Sequence, residues 1–158
     1  MEQYPDAKKV HGMLVVRVDS AIYFSNSNYV RERILRWLTD EEEKLEANHE
    51  PRIQFLIVEM SPVTDIDTSG IHALEELHRS LQKREIQNAK ESSWDTQYRT
   101  ESIPFLGFIQ LLLANPGQTV IDKLHASKFP DMIGEDKIFL TVADAVRTWS
   151  TKAKKEQV

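Results

Sequence analysis

Ile53-Gln54-Phe55-Leu56-Ile57-Val58-Glu59-Met60 is the most apolar stretch of this chain, and Ser61-Pro62-Val63-Thr64-Asp65-Ile66-Asp67-Thr68-Ser69-Gly70-Ile71 follows it directly. A strand with one wet face alternates apolar and polar residues, whereas a nearly continuous apolar run is expected of a strand covered on both faces. Residues 53–60 therefore read as the central strand of a sheet. Pro62 and the polar run Thr64 to Gly70 turn the chain, after which Ile71, Leu74, Leu77 and Leu81 mark one helical face. A buried strand leading through a short polar turn into an amphipathic helix is the first half of a parallel crossover unit.

The same alternation extends outward in both directions. Upstream, Gly12 to Val18 reads as a strand, and Ala21 to Phe24 as a second, shorter one that stops at the turn-forming cluster Ser25-Asn26-Ser27-Asn28. Val30, Ile34, Trp37, Leu38 and Leu45 then predict an amphipathic helix from Tyr29 to about Asn48. Downstream, Ile109 to Ala114 predicts a strand ending at Asn115-Pro116-Gly117, followed by a short helix with Val120, Ile121 and Leu124 inward. Ile138 to Leu140 gives a last small strand. Thr141 with Asp144 resembles a capping box for a final helix with Val142, Ala145, Val146 and Trp149 in the core, and a lysine-rich tail at 151–158 that frays. The class is α/β, in a single domain spanning 1–158.

Asn88 to Phe108 breaks this rhythm, being polar, interrupted by Pro104 and Gly107, and without a sustained period. Ile86-Gln87 and Ile109-Gln110 are the same dipeptide, so removing 88–110 would run Gln87 into Leu111 and restore a connection of usual length. The segment reads as an inserted surface loop arising by splice variation, gene-model error or design, with a functional lid as the alternative.

Composition narrows the function. A net charge of -5 lacks the basic excess of a nucleic-acid footprint. No apolar run reaches the length of about 20 residues that spans a bilayer, and the absence of cysteine excludes disulfides, thiol nucleophiles and thiolate metal sites. The chain is expected to be soluble when isolated, with the cytosol as its compartment. There is no Gly-x-x-x-x-Gly-Lys-Ser/Thr loop, and His72 and His78 are six apart rather than the four of a zinc-binding helix face, so they read as solvated. No metal, no cofactor and no enzymatic activity are expected. The run Asp40 to Glu43 and the lysines Lys152, Lys154 and Lys155 read as solvated faces.

The candidate site is Asp65-Ile66-Asp67-Thr68-Ser69-Gly70 at the strand-to-helix junction. Free N–H groups at a helix start suit an anion, and glycine allows close approach, so Asp65, Asp67, Ser69 and Gly70 are candidates for an anion or phosphate site around Thr68. The pattern has a second interpretation, since Asp67, Thr68 and Ser69 are all good N-cap residues.

Three stretches carry a resemblance: Val18 to Arg33, Met60 to Ile71, and Leu113-Ala114-Asn115-Pro116-Gly117. They resemble the cytoplasmic STAS domain of plant proton-coupled sulfate transporters in the SLC26-related family, itself similar to bacterial anti-sigma factor antagonists. The resemblance covers nearly all the chain outside 88–110. It implies a STAS fold, a central mixed β-sheet with helices packed around it. It also implies a C-terminal regulatory domain on the cytoplasmic face of a membrane. That domain would govern transport, folding and dimerisation, with the transporter's own membrane domain, a second copy, and a cytosolic regulator or kinase as partners. In the bacterial relatives the first hydroxyl residue after the aspartate of Asp-Ser-Ser-Gly is phosphorylated, and Thr68 holds that place here. The alternative is a free-standing phospho-switch protein of the antagonist type.

A chain lacking Asn88 to Gln110 is expected to melt no lower than the parent, because shortening a closed loop reduces its entropy cost. A markedly lower melting temperature overturns the insertion.

Overall fold

The computed structural model describes residues 12–50, 52–91 and 109–156, without the side chains of 84–91 and 152–156. Its strands are β1 (Met13–Arg17), β2 (Phe55–Glu59), β3 (Gln110–Ala114) and β4 (Ile138–Phe139). The helices are α1 (Ser27–Ala47), α2 (Thr68–Glu91), α3 (Gln118–Ala126), α4 (Phe129–Ile133) and α5 (Val142–Glu156). The strands lie side by side in sequence order, and every pairing among the described residues is parallel. The chain thus has an α/β fold with a central sheet flanked by helices, as the resemblance implies. The antiparallel pairing that a mixed sheet also requires is not among the described residues.

Sequential order fixes where the helices go. Each crossover steps in the same direction, and right-handed connections then place their helices on one face of the sheet. Ile34 and Leu38 of α1, Leu74, Leu77 and Leu81 of α2, Val120 and Leu124 of α3, and Phe129 and Ile133 of α4 pack there, with Leu56, Val58, Leu111 and Leu113 of the strands. Side chains of a strand alternate between faces. Phe55, Ile57, Leu112 and Ala114 therefore point the other way, onto Ala145, Val142, Val146 and Trp149 of α5. The Trp149 ring lies 5.3 Å from that of Phe55. All five residues of β2 are buried, as a strand between two layers requires.

Several expectations are corrected. Ala21 to Phe24 is not a strand; only Ile22 makes a bridge, parallel to Ile66. Asn26 folds the segment back, its Oδ1 accepting from the Tyr23 N–H at 2.8 Å and its Nδ2 donating to the Ala21 carbonyl at 2.8 Å. The Tyr23 N–H and the Ala21 carbonyl are thus spent on Asn26, which leaves Ile22 as the single bridging residue. Helix α2 continues through Asn88 to Glu91, the first four residues assigned to the loop, because Ala89, Lys90 and Glu91 are good helix formers that outweigh Asn88; residues 92–108, with Trp94, lie outside the described residues. Backbone helix likewise extends through Glu156 into the stretch expected to fray, and Thr151 Oγ1 donates to the Arg147 carbonyl at 2.9 Å. Helix α4 and the 3-10 turn Glu135–Lys137 were not foreseen. The Thr141 cap is present, its Oγ1 accepting from the Asp144 N–H at 3.1 Å.

Candidate functional site

The connections leaving β1, β2 and β3 all emerge at the carboxyl edge of the sheet, the edge where open α/β sheets bind ligands. Here two aspartates knit those connections together. Asp67 directly precedes α2 and is its cap: Oδ1 accepts from the Gly70 N–H at 2.8 Å, and its main-chain carbonyl accepts from the Ile71 N–H at 3.0 Å. The other carboxylate oxygen accepts from the Phe24 N–H at 2.9 Å. One side chain thus closes a helix start and pins the β1–α1 connection. The backbone completes the seam, with the Ile22 N–H donating to the Asp65 carbonyl and the Asp67 N–H to the Ile22 carbonyl, both at 3.1 Å.

Gly70 is buried at this seam. A Cβ there would sit 2.4 Å from the Ile22 carbonyl oxygen and 2.6 Å from Ile66 Cγ1. The close approach that glycine permits is used by the chain's own backbone, and the Gly70 N–H is already held by Asp67.

Asp65 makes the second knot. Oδ1 accepts from Lys123 Nζ at 2.5 Å and Oδ2 from the Tyr23 hydroxyl at 3.2 Å, which joins α3 to the β1–α1 connection through one carboxylate. Lys123, and next the Ile66 N–H, hold the Asp65 carboxyl below the usual carboxylate range. The Gly70 N–H, and next the Phe24 N–H, do the same for Asp67. Desolvation, then the bond to Asp65, pushes the Tyr23 phenol up. Both carboxylates are therefore committed acceptors rather than free bases.

Thr68 is exposed in the first turn of α2, and Ser69 behind it is half-buried. Thr68, Ile66 and Ile71 line one side of an open groove of about 480 Å³, and Lys123, Ala126 and Ser127 line the other. The arrangement offers a hydroxyl to solvent beside a lysine. Among the described residues, no group of three or more His, Cys, Asp or Glu residues is placed to hold a metal.

Thr68, Asp65, Asp67, Ser69 and Gly70 do come together at one edge. The sequence did not reveal Tyr23, Phe24 or Lys123 as their neighbours; the only signal was that Tyr23 and Phe24 lie in one of the stretches carrying the resemblance. His78 is half-buried rather than solvated, and burial, then Lys137 and Arg79, lowers its pKa. His72 is exposed, 3.2 Å from Glu75.

The candidate site is thus a parallel sheet edge closed by carboxylate ties, with an exposed threonine at the start of the helix that leaves it. The chain belongs to the STAS domain family, whose model matches residues 4–89, more than half of its length. STAS domains are non-catalytic regulatory modules. Over 156 residues, 99% of the chain, it is 61% identical to "Sulfate transporter 1.3" of Arabidopsis thaliana, of which it covers 20%. The chain spans about a fifth of the length of the curated relatives it matches. Among solved structures it is similar to murine Slc26a9, an anion transporter, at 21% identity and a TM-score of 0.66, covering 94% of this chain and 19% of that one. A sulfate transporter family protein from Wolinella succinogenes matches at 21% identity and a TM-score of 0.63, covering 94% and 95%. No helix among the described residues is long and apolar enough to cross a membrane.

Replacing Gly70 by alanine is expected to lower stability by about 1–3 kcal/mol through overpacking, although alanine normally favours a helix interior. Chemical denaturation measures this, and an unchanged or raised stability contradicts the seam. Asp67→Asn keeps an acceptor for Gly70 but turns a second donor toward Phe24, so its melting temperature at neutral pH should fall. Because the folded-state pKa of Asp67 is depressed, its stabilisation is complete above the ordinary carboxylate value of about 3.9 and is lost as pH falls through the lowered value. The gap in melting temperature between Asp67→Asn and the parent should therefore narrow on acidification; a constant gap rejects the ionised cap.

Proposed function

We propose that this domain is the regulatory part of a proton-coupled sulfate transporter, on the cytoplasmic face of its membrane, and that phosphorylation of Thr68 is its switch. The relatives named as sulfate transporters are about five times longer than this chain, which favours an attached domain over a free-standing antagonist. In the full protein the domain would contact its own membrane domain, pair with a second copy, and bind a cytosolic regulator or kinase.

The observation that carries the switch is the position of Thr68: exposed at a helix start, in a groove shared with Lys123, one residue from the carboxylate that grips Phe24. A phosphate there adds a charge of about -1.5 to -2. The positive end of α2 and Lys123 attract it, while Asp65 and Asp67 repel it. These terms oppose each other, so the fold should survive while the surface changes sign. Phe24, 81% exposed, offers an apolar contact beside the altered charge.

Because Asp67 is the cap, Thr68→Ala should change domain stability by no more than about 0.5 kcal/mol, the range of surface substitutions. Thr68→Asp and Thr68→Glu should alter partner affinity about five-fold or more, and with it transport by the full-length protein. Transport is compared at equal abundance in the membrane. If all three variants transport like the parent, Thr68 is no switch.

A further inference from the structure

Helix α1 is charged in the wrong order for its own dipole. Arg31, Arg33 and Arg36 lie in its amino-terminal half and Asp40 to Glu43 in its carboxyl-terminal half, whereas a helix favours acids near its start and bases near its end. Arg36 preceding Asp40 by four is also the less favourable orientation of such a pair. Among the described residues, Arg36, Asp40 and Glu43 form no ion pair, and Arg33 rests on rings, 5.4 Å from the centroid of Trp37 and 6.0 Å from that of Tyr29.

The buried side of α1 is Ser27, Ile34, Leu38 and Leu45. On the opposite side run Tyr29, Arg36, Asp40, Glu43 and Ala47, all exposed, with Arg33 at the margin. At 100° per residue this stripe is centred directly opposite Leu38, and its charges are arranged symmetrically about that level. Arg36 stands two positions before Leu38 and Asp40 two after; Arg33 stands five before and Glu43 five after. Tyr29 and Ala47 stand nine before and nine after. Glu32 and Lys44, one charge of each sign, lie at the edges.

We propose that this stripe binds the same stripe of a second copy of this chain, with the two α1 helices antiparallel about a two-fold axis at Leu38. In such an interface residue i meets residue j and j meets i. Arg36 and Arg33 of each copy then face Asp40 and Glu43 of the other, and Tyr29 lies over Ala47. A charge order unfavourable within one helix becomes complementary between two. The proposal rests on the reading that the domain pairs with itself, and names the surface.

Sedimentation equilibrium of the whole 158-residue chain tests it, with circular dichroism to verify folding. At low ionic strength the parent should associate, and salt should weaken it by screening. Arg33→Glu with Arg36→Glu, and separately Asp40→Lys with Glu43→Lys, should each weaken pairing about ten-fold or more by facing like charges. Arg36→Glu alone, which keeps Arg33 on its rings, should weaken it in the same direction. Combining all four changes reverses every sign, retains complementarity and should restore pairing. If the doubles associate like the parent, or if the quadruple variant stays as weak as the doubles, the proposed surface is wrong although self-association stands. A parent that remains monomeric at low salt and high concentration overturns both.

Discussion

The carboxylate of Asp67 is the tie on which this edge of the molecule depends. A helix start leaves several N–H groups without intrahelical partners, and a neighbouring connection carries its own unpaired donors. Asp67 answers both with one charged group, accepting from Gly70 in α2 and from Phe24 in the β1–α1 connection. Charge-assisted bonds of this kind are stronger than neutral ones. They bring the two connections so close that only glycine fits at position 70. Asp65 repeats the device, linking Lys123 to Tyr23.

This economy limits the chemistry available at the edge. A catalytic carboxylate must exchange a proton near working pH, and both aspartates are instead held ionised by the donors around them. The strand order offers no reversal among the described residues, so there is none of the deep crevice that forms between divergent connections in doubly wound sheets. What remains accessible is a hydroxyl, a lysine and an aromatic side chain on rigid supports. Such a surface is suited to being read by another protein.

Much of this was legible in the sequence because burial leaves periodic traces. The unbroken apolar run of β2 and the helical spacing of Leu74, Leu77 and Leu81 marked the centre of the fold and the helix behind it. Short elements left weaker traces: Phe129–Ile133 is a single turn containing Pro130. Three adjacent cap-forming residues showed that a helix begins near Thr68, yet could not show that Asp67, alone of them, points back to Gly70. Lys123 lies 58 residues from Asp65, and only the parallel order of the strands brings them together. Ile22 misled for the opposite reason, since its apolar neighbours promised a strand while Asn26 diverted their backbone groups into a turn.

The sequential strand order also bears on how the chain acquires its shape. Each described strand after β1 pairs with the described strand before it in the chain, so pairing can proceed in order of synthesis. During synthesis, β1, α1 and β2 can close a first unit while the rest is still being made. The next closure, from α2 to β3, has to span the segment after Glu91, and a longer span slows the search because its entropy is lost before any contact is gained. Helix α5 arrives last, and until it docks, Phe55, Ile57 and Leu112 remain open to water. Until it is covered, that apolar face can draw the nascent chain into aggregation.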